Sequence, residues 1–286
     1  MDKLKVTVMG AGGKMGTRTS NNLAKFTGEV ELFLVEPSEN GRKSIAERGL
    51  SVVDAAEAIP QSDVVVLAVP DTLIMKISKE VVEMMKPGSG MLILDPAAAV
   101  MKEVCMKDGC TFAIAHPCHP SYFLDQDTYE ARHDYFGGIA GKQDIVVAKI
   151  DGDDAKFEQC RRVAEMMYSP VVNSYVVGIR EMAFLEPTLV EVLGATCLYA
   201  MAETVKEAER RGYNRDAAVS FLSGHLYNLS ANFLGFLGNT PVSDACKVAI
   251  GIGNRLVLRD DWKKVWDDEV LDKVIDTMLH PDNPKI

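Results

Sequence analysis

The densest group of reactive side chains is His116-Pro117-Cys118-His119-Pro120, which follows directly on the apolar run Phe112 to Ala115. Two of the chain's five histidines fall here. A neutral imidazole takes a proton from a reacting hydroxyl and returns it in the reverse direction. His116 stands where a strand would end and is the first candidate for that work; His119 follows it, and Cys118 ranks below both. The bland alternative is a loop shaped by Pro117 and Pro120 whose imidazoles satisfy backbone groups. Spacing alone does not make a zinc site of these three, because a structural Cys–His site draws a fourth ligand from elsewhere.

Glu186 is the other candidate. It lies within the apolar stretch Arg180 to Pro187, immediately before a proline. Proline kinks a helix and frees a carbonyl, here near Ala183. A carboxylate at such a kink hydrogen-bonds substrate hydroxyls, acts as an acid or ligates a metal; the alternative is a solvent-facing side chain. Glu191 lies five residues on and points elsewhere, since helical neighbours recur at three and four. His225, in Ser223-Gly224-His225, reads first as a buried, hydrogen-bonded core histidine. Arg132, His133, Phe136, Gly137 and Gly138 read as a loop able to close over a substrate.

These side chains need a scaffold, and the N-terminus names its kind. Leu4 to Met9 alternates like a strand and runs into Gly10-Ala11-Gly12-Gly13-Lys14-Met15-Gly16. Such a turn lets backbone approach a pyrophosphate whose charge rests on the following helix N-terminus. The spacing departs from the strict dinucleotide fingerprint, and glycines also serve ordinary tight turns. The context decides. A second apolar run, Val30 to Val35, ends in Glu36, twenty residues beyond Gly16. An acid there accepts hydrogen bonds from ribose hydroxyls and repels a 2′-phosphate, which favours NAD over NADP.

The runs Val64 to Ala68, Met91 to Leu94 and Phe112 to Ala115 read as buried parallel strands. Helical segments at Ser38 to Glu47, Leu73 to Met85 and Val100 to Lys107 separate the strands, with a short strand near Val52. This rhythm predicts an α/β fold, a Rossmann-type doubly wound parallel sheet over residues 1–176. Ligands in such sheets lie beyond the carboxyl ends of the strands, which singles out Gly10, Val69-Pro70 and His116. Ile145 to Lys149 and Val171 to Val176 add two strands. After Gly178 the pattern turns helical, so residues 177–286 read as an all-helical domain for substrate binding and dimerisation, through broad apolar faces that a homodimer would bury.

The 286 residues suit two domains. A net charge of −10 argues against nucleic acid or an anionic membrane as partner and leaves a small molecule. Six cysteines without a paired motif point to free thiols in a reducing compartment. The charged start predicts no signal peptide, and no apolar run reads as membrane-spanning, so a cytoplasmic protein is expected.

Met15-Gly16, Val69-Pro70 and the strand ending in His116-Pro117 resemble the dinucleotide domains of 6-phosphogluconate and prephenate dehydrogenases. His-Pro-Cys-His-Pro at 116–120, Phe136-Gly137-Gly138, Met182 to Pro187, Ala195-Thr196-Cys197 and Asp261-Trp262 are similar to a narrower family. It comprises NAD-dependent oxidoreductases with a phosphogluconate-dehydrogenase-like C-terminal domain and includes the D-apionate oxidoisomerases. The resemblance spans nearly the whole chain. It implies oxidation of a branched polyhydroxy (sugar) acid by NAD, then rearrangement to 3-oxo-isoapionate. It also implies a divalent cation, zinc or another, held by the residues matching His116 and Glu186. One departure stands out: Ile179 to Tyr199 contains no lysine, whereas 6-phosphogluconate dehydrogenases use one in that helix, so acid–base work falls to His116. Two rival readings remain, a prephenate-type dehydrogenase, which needs more arginines than Arg180, and a non-catalytic NAD sensor.

Overall fold

The computed structural model describes residues 2–285. Strands and helices alternate as β1 (Leu4–Met9), α1 (Lys14–Leu23), β2 (Val30–Val35), α2 (Glu39–Glu47), α3 (Ala55–Ala58), β3 (Val64–Leu67), α4 (Ile74–Met84), β4 (Gly90–Ile93), α5 (Ala97–Val100) and β5 (Thr111–Pro117). Then follow α6 (Tyr129–His133), β6 (Gln143–Asp151), α7 (Asp154–Met167), β7 (Val171–Val176) and α8 (Ile179–Ala183). The strands form one sheet in the order β2-β1-β3-β4-β5-β6-β7. It is parallel from β2 to β5; β6 runs antiparallel to β5, and β7 parallel to β6. All four residues of β3 are fully buried, because helices cover both faces.

The chain leaves β1 toward β2 on one side and returns to β3 on the other. This reversal opens a crevice at the carboxyl ends of β1 and β3, where Gly10 and Val69-Pro70 lie. Beneath it, Val8 pairs with both Leu34 and Val66. Helix α7 packs Phe157, Cys160, Val163 and Met167 into the same core as Leu23 of α1. Each such burial contributes about 1.5–3 kcal/mol for the large apolar side chains.

Three local expectations differ. No strand forms near Val52; Val53 donates one hydrogen bond to the Leu34 carbonyl (2.9 Å), and the segment stays irregular. The helix expected at 100–107 instead occupies Ala97–Val100, because Lys102 takes a left-handed φ of 59° and Glu103 N–H turns back to the Ala98 carbonyl (2.7 Å). Arg132 and His133 stand on the short helix α6 rather than in a loop.

By its contacts the chain divides into two compact units, one running up to Phe184 and resuming at Asp272, the other spanning Leu185–Leu271. A π-helical stretch, Phe184–Ala195, continues into α9 (Thr196–Arg210), followed by α10 (Arg215–Phe233) and α11 (Asp244–Leu256). The last helix is α12 (Asp268–Leu279). Contrary to the sequence reading, the helical run Ile179–Arg210 is long and apolar enough by length and composition to cross a membrane, an 18-residue window within it having a mean hydropathy of 1.3. It reaches that length because the helix passes through Pro187 instead of breaking there. Its last turns carry Glu203, Lys206, Glu207 and Arg210, a pattern of ion pairs suited to water.

Candidate active site

The glycine turn is built by backbone contact. Gly10 takes φ +72°, and a Cβ there would lie 2.6 Å from the Ala68 carbonyl oxygen. A Cβ on Gly12 would lie 2.3 Å from Cα of Gly41, so the turn and the first turn of α2 touch backbone to backbone. Helix α1 begins after Gly13 with neither a capping side chain nor an acid in its first turn, and Lys14 is exposed beside it. Its first N–H groups are thus left for an anion. Ala11 and Gly16 are buried under this turn, Met15 is half-buried, and Val69 and exposed Pro70 border it from β3.

Glu36, at the end of β2, is 6% exposed. One carboxylate oxygen accepts from Gly12 N–H (2.9 Å), and the other accepts from the N–H (3.0 Å) and hydroxyl (2.7 Å) of Ser38. Ser38 Oγ in turn accepts from Gly41 N–H at 3.1 Å and caps α2. Burial pushes the Glu36 carboxyl up, but the hydrogen bonds from Ser38 and Gly12 and the charge of Arg42 outweigh it and hold it below the ordinary glutamate range. An ionised carboxylate oxygen has lone pairs beyond those bonds for a ribose hydroxyl. Arg48 donates to the Ala11 carbonyl (3.1 Å) and props the turn from behind. Ser38, Gly41 and Arg48 escaped the sequence reading, which began a helix at Ser38 but gave its first turn no part in the site.

At the end of β5, His116 is half-buried with Nδ1 2.9 Å from the Leu94 carbonyl oxygen. A ring nitrogen facing a carbonyl carries the proton, so the neutral ring has its basic nitrogen at Nε2. His119 sits at φ +60° with Nδ1 2.8 Å from the Phe136 carbonyl oxygen and its ring 5.1 Å from the Phe136 ring. Lys14 Nζ lies 4.2 Å and the Arg18 guanidinium 4.5 Å from the Phe136 centroid, so two cations pack on one ring. Arg18, 6% exposed, donates to Gln143 Oε1 (2.8 Å); Gln143 donates to the Tyr168 carbonyl; the Tyr168 hydroxyl donates to the Ala115 carbonyl (3.2 Å), one residue before His116. Burial lowers the Arg18 pKa, but a guanidinium stays charged. Asp134 Oδ2 accepts from the N–H groups of Ile139, Ala140 and Gly141, which orders the turn carrying Gly137 and Gly138 across Arg18.

The expected loop is therefore present only in part. Phe136, Gly137 and Gly138 join the site, whereas His133 bonds and stacks on Tyr129 within its own helix. Desolvation and the charge of Asp144 push the thiol of exposed Cys118 up to about 11, so it is mostly protonated at neutral pH. Arg180 pairs with Asp272, which leaves the prephenate-type pocket without its arginine.

In the other unit, Glu186 is buried in the π-helical stretch with Pro187 and Thr188. A π-turn absorbs the missing proline N–H, and such turns recur at working sites. Glu191 is exposed. His225 is exposed on α10, contrary to the expected core position, with Nδ1 2.7 Å from the Phe221 carbonyl and its ring stacked on Phe221. Among the described residues, no three His, Cys, Asp or Glu side chains converge as metal ligands. The donor set does not fit a resident zinc held by the protein alone.

Comparison with known proteins meets this geometry from both ends. Residues 1–144 match the model of the NADPH-binding domain of acetohydroxy acid isomeroreductase, and residues 124–279 that of the phosphogluconate dehydrogenase (decarboxylating) C-terminal domain. The D-apionate oxidoisomerase of Blautia hydrogenotrophica is 67% identical over the full length of both chains. That of Pectobacterium atrosepticum is 39% identical over 97% of this chain and 96% of its own. A crystal structure described as a semialdehyde dehydrogenase NAD-binding protein from Cupriavidus necator, in complex with calcium and NAD, superimposes with a TM-score of 0.91. It is 40% identical and covers 97% of this chain and 100% of that one.

Proposed function

The chain belongs to the D-apionate oxidoisomerase family of NAD-dependent oxidoreductases, and from that premise we propose how its own residues divide the reaction. The protein oxidises D-apionate, a branched sugar acid, with NAD and rearranges the product to 3-oxo-isoapionate. The observation that carries this substrate is the 67% identity over the whole of both chains.

Gly10, Ala11, Gly12, Gly13, Lys14, Met15 and Gly16 receive the pyrophosphate, with Lys14 and the α1 N-terminus opposing its charge. Glu36 accepts the adenosine ribose hydroxyls, and Val69 and Pro70 wall the crevice beyond β3. NAD supplies the hydride acceptor. His116 Nε2 takes the proton of the reacting hydroxyl as the hydride leaves; the Leu94 carbonyl fixes that tautomer. Glu186 hydrogen-bonds substrate hydroxyls from its π-turn. The resemblance also offers His116 and Glu186 as ligands for zinc or another divalent cation. No step is routed through such a cation.

The protein acts in the cytoplasm, in carbohydrate metabolism, as a homodimer. Support for the dimer comes from the second unit: α9 and α11 bury no residue at all. Purified protein with NAD and D-apionate should form NADH and, by NMR, 3-oxo-isoapionate, while linear sugar acids give neither. NADH from another acid but not from D-apionate discards the substrate and keeps the hydride chemistry.

A further inference from the structure

The oxidoisomerase reaction removes protons from two different oxygens, the C2 hydroxyl and then the C3 hydroxyl, and returns one to the C2 oxygen. As the hydride leaves C2 of the acid, His116 takes the C2 hydroxyl proton and becomes an imidazolium. The product is a 2-oxo acid whose C3 carries a hydroxyl and two hydroxymethyl groups. Its rearrangement starts with loss of the C3 hydroxyl proton. The C3–O bond becomes a carbonyl as one hydroxymethyl group moves, with its bonding electrons, from C3 to C2. The C2 carbonyl oxygen receives the displaced pair and must be protonated. No redox change occurs, and the proton removed at one oxygen is returned to the other. A neutral base at the C3 hydroxyl serves the second removal.

We propose that His119 is that base: its Nδ1–H is tied to the Phe136 carbonyl, and its Nε2 carries the proton from the C3 hydroxyl to the new C2 alkoxide. Three structural features support this, and the proposal rests on the D-apionate reading above. First, His119 holds a left-handed backbone (φ +60°), a conformation that costs about 1–3 kcal/mol outside glycine and clusters at working sites. Only two non-glycine residues among those described adopt it. Second, the 2.8 Å contact to the Phe136 carbonyl selects the tautomer with a basic Nε2, the same choice His116 makes against Leu94. Third, the ring does not stand alone. Phe136 packs on it while lying against Lys14 and buried Arg18, which joins His119 to the cofactor helix α1. The charged groups facing His119 are Lys14 and Arg18 of α1 and His116 of β5. Burial first, then these charges, hold its pKa below the ordinary 6.5 despite the Phe136 carbonyl, so the ring is neutral at pH 7. The cost of its setting is thus spent on a neutral, oriented imidazole three residues from the first.

The test separates the two half-reactions in the full-length protein. Single-turnover NADH formation from D-apionate reads the oxidation. Carbon NMR of the branched 2-oxo acid, supplied directly to the NADH-loaded enzyme, reads the rearrangement. In His119→Gln the rearrangement should slow about 100-fold or more, as removal of a general base does. That loss should exceed any loss in hydride transfer by at least about tenfold. Unrearranged 2-oxo acid should then accumulate during turnover of D-apionate. His119→Asn, whose short side chain suits the left-handed backbone, should behave alike and guards against a folding defect in the first variant; NADH titration confirms that both bind cofactor. Equal losses in the two half-reactions, or normal rearrangement in either folded variant, would overturn the proposal. A wild-type protein that forms no NADH from D-apionate overturns the reading beneath it, an outcome distinct from any result with the variants.

Discussion

Glu36 is set before any cofactor arrives, because Gly12 and Ser38 already hold both of its oxygens. Substituting Glu36→Gln should therefore do two things. Losing hydrogen bonds to a charged acceptor, each worth about 1.5–3 kcal/mol, should raise the Kd for NAD by about 10- to 100-fold in a fluorescence titration. Losing the negative charge should narrow the preference against NADP. The depressed carboxyl also stabilises the fold, with a definite pH dependence. A carboxylate whose folded pKa lies below its ordinary 4.5 contributes fully above that value and loses its contribution as pH falls through the folded one. The difference in Tm between wild type and Glu36→Gln should thus be flat from about pH 5 to 8 and shrink below about pH 4.5. His116→Ala should lower kcat by about 100-fold or more yet keep NADH affinity within about threefold, since the role proposed for the imidazole is on the substrate proton and not on the dinucleotide. Both residues were readable from sequence for one reason: each terminates an apolar run that had to be a strand. Arg18 was not, because an arginine on an amphipathic helix reads as surface, and its burial depends on Phe136, Gln143 and Tyr168, far away in the chain.

At the scale of elements, the glycine turn functions only because α2 meets it without side chains between. Gly41 shows how tight this is: a Cβ there would lie 2.4 Å from Cδ of Glu36, a carboxylate pinned by three hydrogen bonds. Gly41→Ala must push α2 outward or swing Glu36 out of place. Overpacking of this kind costs about 1–3 kcal/mol, so Tm by calorimetry should fall by several degrees. The Kd for NAD should rise about tenfold or more as Gly12 N–H and the ribose both lose the acid. Unchanged affinity would mean that Glu36 does not set the ribose site. The strand and helix order of the first unit followed from hydrophobic period and punctuation. What did not follow was set by single backbone conformations. Lys102 ends α5 early through a left-handed φ, and Pro187 is absorbed by a π-turn rather than breaking the helix. Periodicity registers neither.

The whole molecule poses a problem that one chain does not solve. In the unit Leu185–Leu271, helices α9 and α11 have no buried residue and α10 buries only Ala231. Leu198, Tyr199, Phe221, Phe233, Ile252 and Leu256 all stand exposed. Helices gain most of their stability from packing an apolar face, and isolated ones of this length are marginal in water. Large exposed apolar surfaces mark interaction sites, and the homodimer proposed above would cover this one. A second copy is the economical cover, because a twofold axis pairs the same helices with themselves. In a sedimentation experiment the protein should run at about twice its 31.3 kDa at micromolar concentration. Replacing two of these side chains with acids, Leu198→Asp with Ile252→Asp, should place like charges across the axis in a low-dielectric surface and shift the species to monomer. The monomer should then lose helical circular dichroism at a lower temperature than it loses NADH binding, because the sheet unit keeps its own core while α9–α11 lose theirs. A monomeric wild type with a single sharp melt would show instead that these helices are stable uncovered, and the apolar run Ile179–Arg210 would then need another partner.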